Sequence, residues 1–115
     1  MNKGIVEITP SGFETLELLT RYMAEFIGAT EAEKLSESLI LKAVEVLQER
    51  PESCPVCFEL ELLGVLDYRQ LTVDKYKILY RFSPASSTSF ITAFMRQKQS
   101  AEELLIQSVL RMGFD

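Results

Sequence analysis

Only Gly28–Thr30 separates two long helical patterns in the first half of this chain, and that spacing dictates an antiparallel helical hairpin. In the first pattern Phe13, Leu16, Leu19, Met23, Phe26 and Ile27 recur at helical intervals. Ser11 and Glu14 form a capping box that predicts a start near Gly12, and Gly28 supplies the stop. In the second pattern Ala32, Leu35, Leu39, Ala43, Val46 and Leu47 mark a helix that opens on the capping box of Thr30 and Glu33. It ends near Glu49, before Pro51. The outer faces of both are acid-rich and read as solvated.

The remainder reads as strand. Lys3–Thr9 alternates, is rich in β-branched residues and stops at Pro10. Beyond a connector over Pro51–Gly64, with a short helical turn over Phe58–Leu63, come three strand-like segments: Leu66–Val73, Lys75–Phe82 and Ser89–Arg96. A turn at Val73–Lys75 is short enough for a hairpin, and Pro84–Ser87 makes a looser second turn. Ser100 opens a third capping box into a final helix predicted to end near Met112. The expected fold is α+β, in the order β-α-α-β-β-β-α. An antiparallel four-stranded sheet is packed by the N-terminal helical hairpin, in one domain over residues 1–115.

Charge is distributed unevenly over this order. The chain carries a net −5, yet Asp67–Lys98 holds Arg69, Lys75, Lys77, Arg81, Arg96 and Lys98 against one further acid, Asp74. On the strand Lys75–Phe82, Tyr76, Ile78, Tyr80 and Phe82 share one face, expected to meet the hairpin; Lys75, Lys77, Leu79 and Arg81 share the other, expected to be open. Arg69 and Arg96 join that cationic face if the register permits. Such a face suits a phosphate group or an acidic partner.

Other chemistries are poorly supplied. Histidine is absent, which removes the commonest general base and the commonest metal ligand. Cys54 and Cys57 form a C-x-x-C with no second ligand pair and no thioredoxin-like context, so a structural role is expected. No metal or other cofactor is expected. No apolar run reaches the ~18 residues of a membrane span, and the N-terminus shows no signal-peptide pattern, which predicts a cytoplasmic protein with no membrane partner.

The spacing of Gly64, Asp67-Tyr68-Arg69-x-Leu71, Tyr76-Lys77-Ile78-x-Tyr80-Arg81 and Arg96-Gln97 resembles the RelE/ParE superfamily of type II toxins. Pro51–Pro55 and the run from Glu59 to Gly64 resemble a subgroup of that family. The resemblance implies a growth-inhibiting toxin blocked by a cognate antitoxin. RelE-like members cut mRNA in the ribosome; ParE-like members poison DNA gyrase. It also implies Arg69 and Arg81 as a phosphate-stabilising pair, with Lys75 or Lys77 as further cations; as binding residues, Arg69 and Arg81 are each expected within salt-bridge reach of acidic side chains of a partner or of the chain itself.

Where many nuclease members offer His or Tyr, this chain has Phe94-Met95-Arg96, and a lysine of ordinary pKa, about 10.4, is a poor base at neutral pH. A ParE-like mode, binding DNA gyrase through Arg69, Lys75, Lys77, Arg81 and Arg96 without catalysis, is therefore the expectation. The alternatives are a metal-independent, ribosome-dependent mRNA endonuclease and a non-toxic interaction module of the same fold. The net negative charge argues against direct binding of free nucleic acid.

Overall fold

The computed structural model describes residues 3–104 and 106. The elements run β1 (Ile5–Ile8), α1 (Pro10–Ile27), α2 (Ala29–Glu49), α3 (Phe58–Glu61), β2 (Arg69–Val73), β3 (Tyr76–Ser83) and β4 (Thr88–Arg96). A further helical run opens at 101–104; its predicted end near Met112 lies outside the described residues.

The helical hairpin forms as expected, but its caps differ. Gly28, at a φ of 85° that favours glycine, ends α1 by donating its N–H to the Ala24 carbonyl and starts α2 by accepting from Ala32 N–H. Thr30 therefore lies inside the first turn of α2 and caps nothing. The N-cap of α1 is Thr9, whose hydroxyl accepts from Gly12 N–H, with Pro10 in the first turn where its missing N–H costs nothing. Ser11, read as the cap, is instead buried against the sheet.

The sheet order is β1-β4-β3-β2. β2, β3 and β4 are antiparallel neighbours, whereas β1 runs parallel to β4. The sheet is thus mixed, a correction to the antiparallel expectation. Alternation identifies a strand without its direction, and no hairpin turn joins β1 to its neighbour to fix one.

One face of the sheet presents Leu71, Tyr76, Ile78, Tyr80, Ile91 and Phe94 to Leu16 and Leu19 of α1 and to Leu39, Ala43 and Leu47 of α2. The other face is covered too. Leu79, Ala93 and Met95 pack beneath Cys57 and Leu60 and beneath Ala101 and Leu104 of the final helical run. Opposite Leu79 and Tyr80 the register of β4 slips by one residue at Thr92, so Ile91 and Phe94 reach the same face despite their odd spacing. The expectation of an open second face fails here because α3 and the final helix close over its centre.

Candidate functional site

Register decides where the expected site residues go. Arg69 pairs with Tyr80 and Arg96 with Tyr76, so both arginines lie on the hairpin side of the sheet. Lys77 and Arg81 alternate to the opposite side. Lys75 sits in the turn between β2 and β3, beside Asp74 at a φ of 51°. Arg69 and Arg81 therefore leave opposite faces, and Arg69 and Arg96 stand four positions, about 13 Å, apart along β3.

Arg69, Lys77 and Arg81 are each engaged locally. Arg69 donates to the Cys54 carbonyl at 2.6 Å and to the Glu52 carbonyl at 3.3 Å, so it holds the connector and, among the described residues, meets backbone rather than the expected carboxylate. Beside it the buried Tyr80 hydroxyl donates to the Pro51 carbonyl at 2.6 Å. Lys77 is buried, with its ammonium 3.8 Å from the Glu59 carboxylate of α3. That carboxylate also accepts from Ser100 Oγ at 2.7 Å and from the N–H groups of Ala101 and Glu102 at 2.8 and 3.1 Å. Arg81 lies 5.6 Å from the centre of the Phe90 ring.

Titration follows from these surroundings. Burial pushes the Tyr80 phenol well above its ordinary range, reinforced by the neighbouring Cys54. Burial and then the Asp74 charge raise Tyr76. Both phenols stay protonated at neutral pH. Burial alone would raise Glu59, but the bonds from Ser100, Ala101 and Glu102 and the charge of Lys77 together outweigh it and hold this carboxyl below the usual range.

Arg96 marks the place where accessible cations gather. Its guanidinium stacks on the Tyr22 ring of α1 at 4.0 Å. Around this pair opens a groove of about 700 Å³, lined by Tyr22, Phe26, Lys75, Tyr76, Arg96 and Lys98 together with Met23, Asp74 and Gln97. Lys75 and Lys98 are exposed and Arg96 half-buried. Lys98 belongs to the basic run of the sequence; Tyr22, and Phe26 from the expected apolar stripe of α1, are exposed here beside it. Their spacing of four, on the flank of the buried stripe of α1, was the available signal. A cationic groove with aromatic walls can hold an acidic and apolar protein segment or a stacked base. Among the described residues no group of three His, Cys, Asp or Glu side chains could hold a metal ion, and no helix is long and apolar enough to cross a membrane.

No family model and no curated protein matches the chain. Solved structures do. The RelBE2 toxin–antitoxin complex of Mycobacterium tuberculosis superposes with a TM-score of 0.62 at 17% identity, over 86% of this chain and 97% of that one. The chromosomal ParDE TA system of P. aeruginosa superposes with a TM-score of 0.64 at 16% identity, over 82% and 96%. The chain has the RelE/ParE fold. A doubly Arg-to-Ala substituted E. coli toxin RelE in the free state follows at a TM-score of 0.54 and 18% identity, over 96% of this chain and 98% of that one. Identities this low establish the RelE/ParE fold and leave function to the residues.

Proposed function

We propose that this chain is the toxin of a type II toxin–antitoxin pair, that it inhibits growth by binding and poisoning DNA gyrase, and that a cognate antitoxin neutralises it. The shared fold supports the toxin reading, since its solved neighbours include the RelBE2 toxin–antitoxin complex and the ParDE system. The binding mode rests on one observation, the strand register. RNA cleavage needs a base, an acid and cations gathered on a single phosphate. Here Arg69 and Arg81 leave opposite faces, and Lys77 is buried against Glu59. Burial moves the Tyr76 and Tyr80 phenols further above neutrality, so neither is placed to act as a base. The accessible cations Lys75, Arg96 and Lys98 gather instead around exposed aromatic rings, a surface suited to gripping a protein.

Induced expression of the chain in bacterial cells, with parallel pulse-labelling of DNA and protein synthesis, tests the reading. DNA synthesis should fall first, with filamentation. Protein synthesis falling first would replace gyrase by the ribosome and restore the mRNA-cleavage alternative. Unimpaired growth would overturn the toxin reading itself and leave an interaction module of the same fold.

A further inference from the structure

Five large apolar side chains stand in solvent within nine consecutive positions: Phe58, Leu62, Leu63, Val65 and Leu66, each 37–70% exposed. Their backbone is well determined. Leu62 N–H bonds to the Phe58 carbonyl, Gly64 N–H to Glu61 and Val65 N–H to Leu60, with Gly64 at a φ of 83°. These last two bonds close α3 as a Schellman turn. Leu60 and Cys57 point inward and anchor the turn in the second core cluster. With that side committed, the outward side chains stay exposed among the described residues. Solvent-facing apolar residues so closely grouped mark an interaction site more often than chance exposure.

Charge selects the occupant. From Pro51 to Tyr68 the sequence holds Glu52, Glu59, Glu61 and Asp67 and neither Lys nor Arg. Glu59 is turned inward to Lys77 and the final helix, while Glu61 and Asp67 are exposed beside the apolar residues. The surface is therefore apolar with an acidic rim. Polyanions would be repelled by it, and a second copy of the same surface would meet it carboxylate to carboxylate. It shares no residue with the cationic groove at Arg96.

We propose that Phe58–Leu66 is a docking surface for a second protein, one that presents an apolar helical stripe flanked by Lys or Arg. This inference does not depend on the toxin reading, because it concerns a different surface of opposite charge.

Two synthetic amphipathic helices test it, a Leu/Lys peptide and a Leu/Glu peptide with the same apolar stripe, each titrated into the full chain and followed by amide NMR shifts. The Lys peptide should shift residues 58–66 and bind about tenfold or more tighter than the Glu peptide. Leu62→Asp with Leu66→Asp should abolish that binding. Glu61→Lys with Asp67→Lys should reverse the preference. Those two reversals take the net charge from −5 only to −1, so attraction to the chain as a whole cannot produce the switch. Both variants change exposed positions, and an unaltered thermal melt verifies that they fold. Three results would overturn the proposal: unchanged affinity in the Leu variant, an unreversed preference in the charge variant, or a wild-type dimer in sedimentation that Leu62→Asp dissolves.

Discussion

Thr9, Ser11 and Thr15 do for β4 what a longer β1 would have done. The parallel pairing of β1 stops at Ile91. Beyond it the outer edge of β4 needs partners, because an unpaired buried backbone group is costly. Thr9 gives both its N–H and its hydroxyl to the Ile91 carbonyl, at 3.0 and 3.1 Å. Ser11 Oγ donates to the Thr92 carbonyl at 3.1 Å, and Thr15 Oγ1 accepts from Phe94 N–H at 2.9 Å. Replacing Thr15 by Val keeps the shape and orphans that N–H. It should lower stability by about 1–3 kcal/mol in urea denaturation, with an unchanged m-value. Gly12 lies in the same seam: a methyl added there would collide with the Ile91 carbonyl oxygen and stand 2.9 Å from Ile8 Cγ2. The Ile91 oxygen belongs to the backbone and cannot swing aside, so Gly12→Ala should lower the melting temperature although alanine is the better helix former. None of this was legible in the sequence. Hydroxyls at the head of a helix read as caps, and only the abrupt end of β1 makes them sheet partners. Cys54 and Cys57, for which the sequence suggests a structural role, are both buried, Cys54 in the cluster under the hairpin and Cys57 in the cluster on the opposite face.

At the scale of elements, Glu59 ties α3, β3 and the final helix into one latch. Ser100 caps the final run as the sequence predicted, with its hydroxyl 3.2 Å from Glu103 N–H. The second cap, from a carboxylate 41 residues away, has no local signature. The latch should depend on pH. Glu59 titrates below the ordinary carboxylate value of 4.5 when folded, so its contribution is complete above that value and is lost as pH falls through the depressed pKa. Amide-exchange protection at Ala101 and Glu102 should therefore fall on acidification, relative to the α1–α2 hairpin. Glu59→Gln should show the same loss already at neutral pH, with the Lys77 amine becoming reactive toward acylating reagents. Equal protection at 101–102 in the variant and the wild type would show that the run is held by Ala101 and Leu104 packing alone. The alternation that placed Lys77 and Arg81 on one face was read correctly. What the sequence could not convey is that this face has a roof, because α3 and residues 101–104 reach it from outside the strands.

Over the whole molecule, opposite charges occupy separate surfaces: the groove at Arg96 is cationic, and the turn after α3 is acidic. The concentration of cations between Asp67 and Lys98 was visible as a string, but the chain folds that string around both faces of a sheet, and only the register determines which cations meet. The groove, rather than the row along β3, is then the surface on which growth inhibition should depend. Its cations are separable by experiment because their structural duties differ. Arg96 stacks on Tyr22, so Arg96→Ala should cost stability of about 0.5–2 kcal/mol as well as binding. Lys75 and Lys98 are exposed, and no salt bridge to either is found among the described residues. Reversing them, Lys75→Glu with Lys98→Glu, should leave the melting temperature unchanged while weakening partner binding by about tenfold or more, since each places a like charge against an acidic partner. Growth of cells induced for the double variant should approach that of uninduced cells. Full toxicity in a normally folded double variant would remove the groove as the working surface and turn attention to Arg81 and Phe90 on the far face.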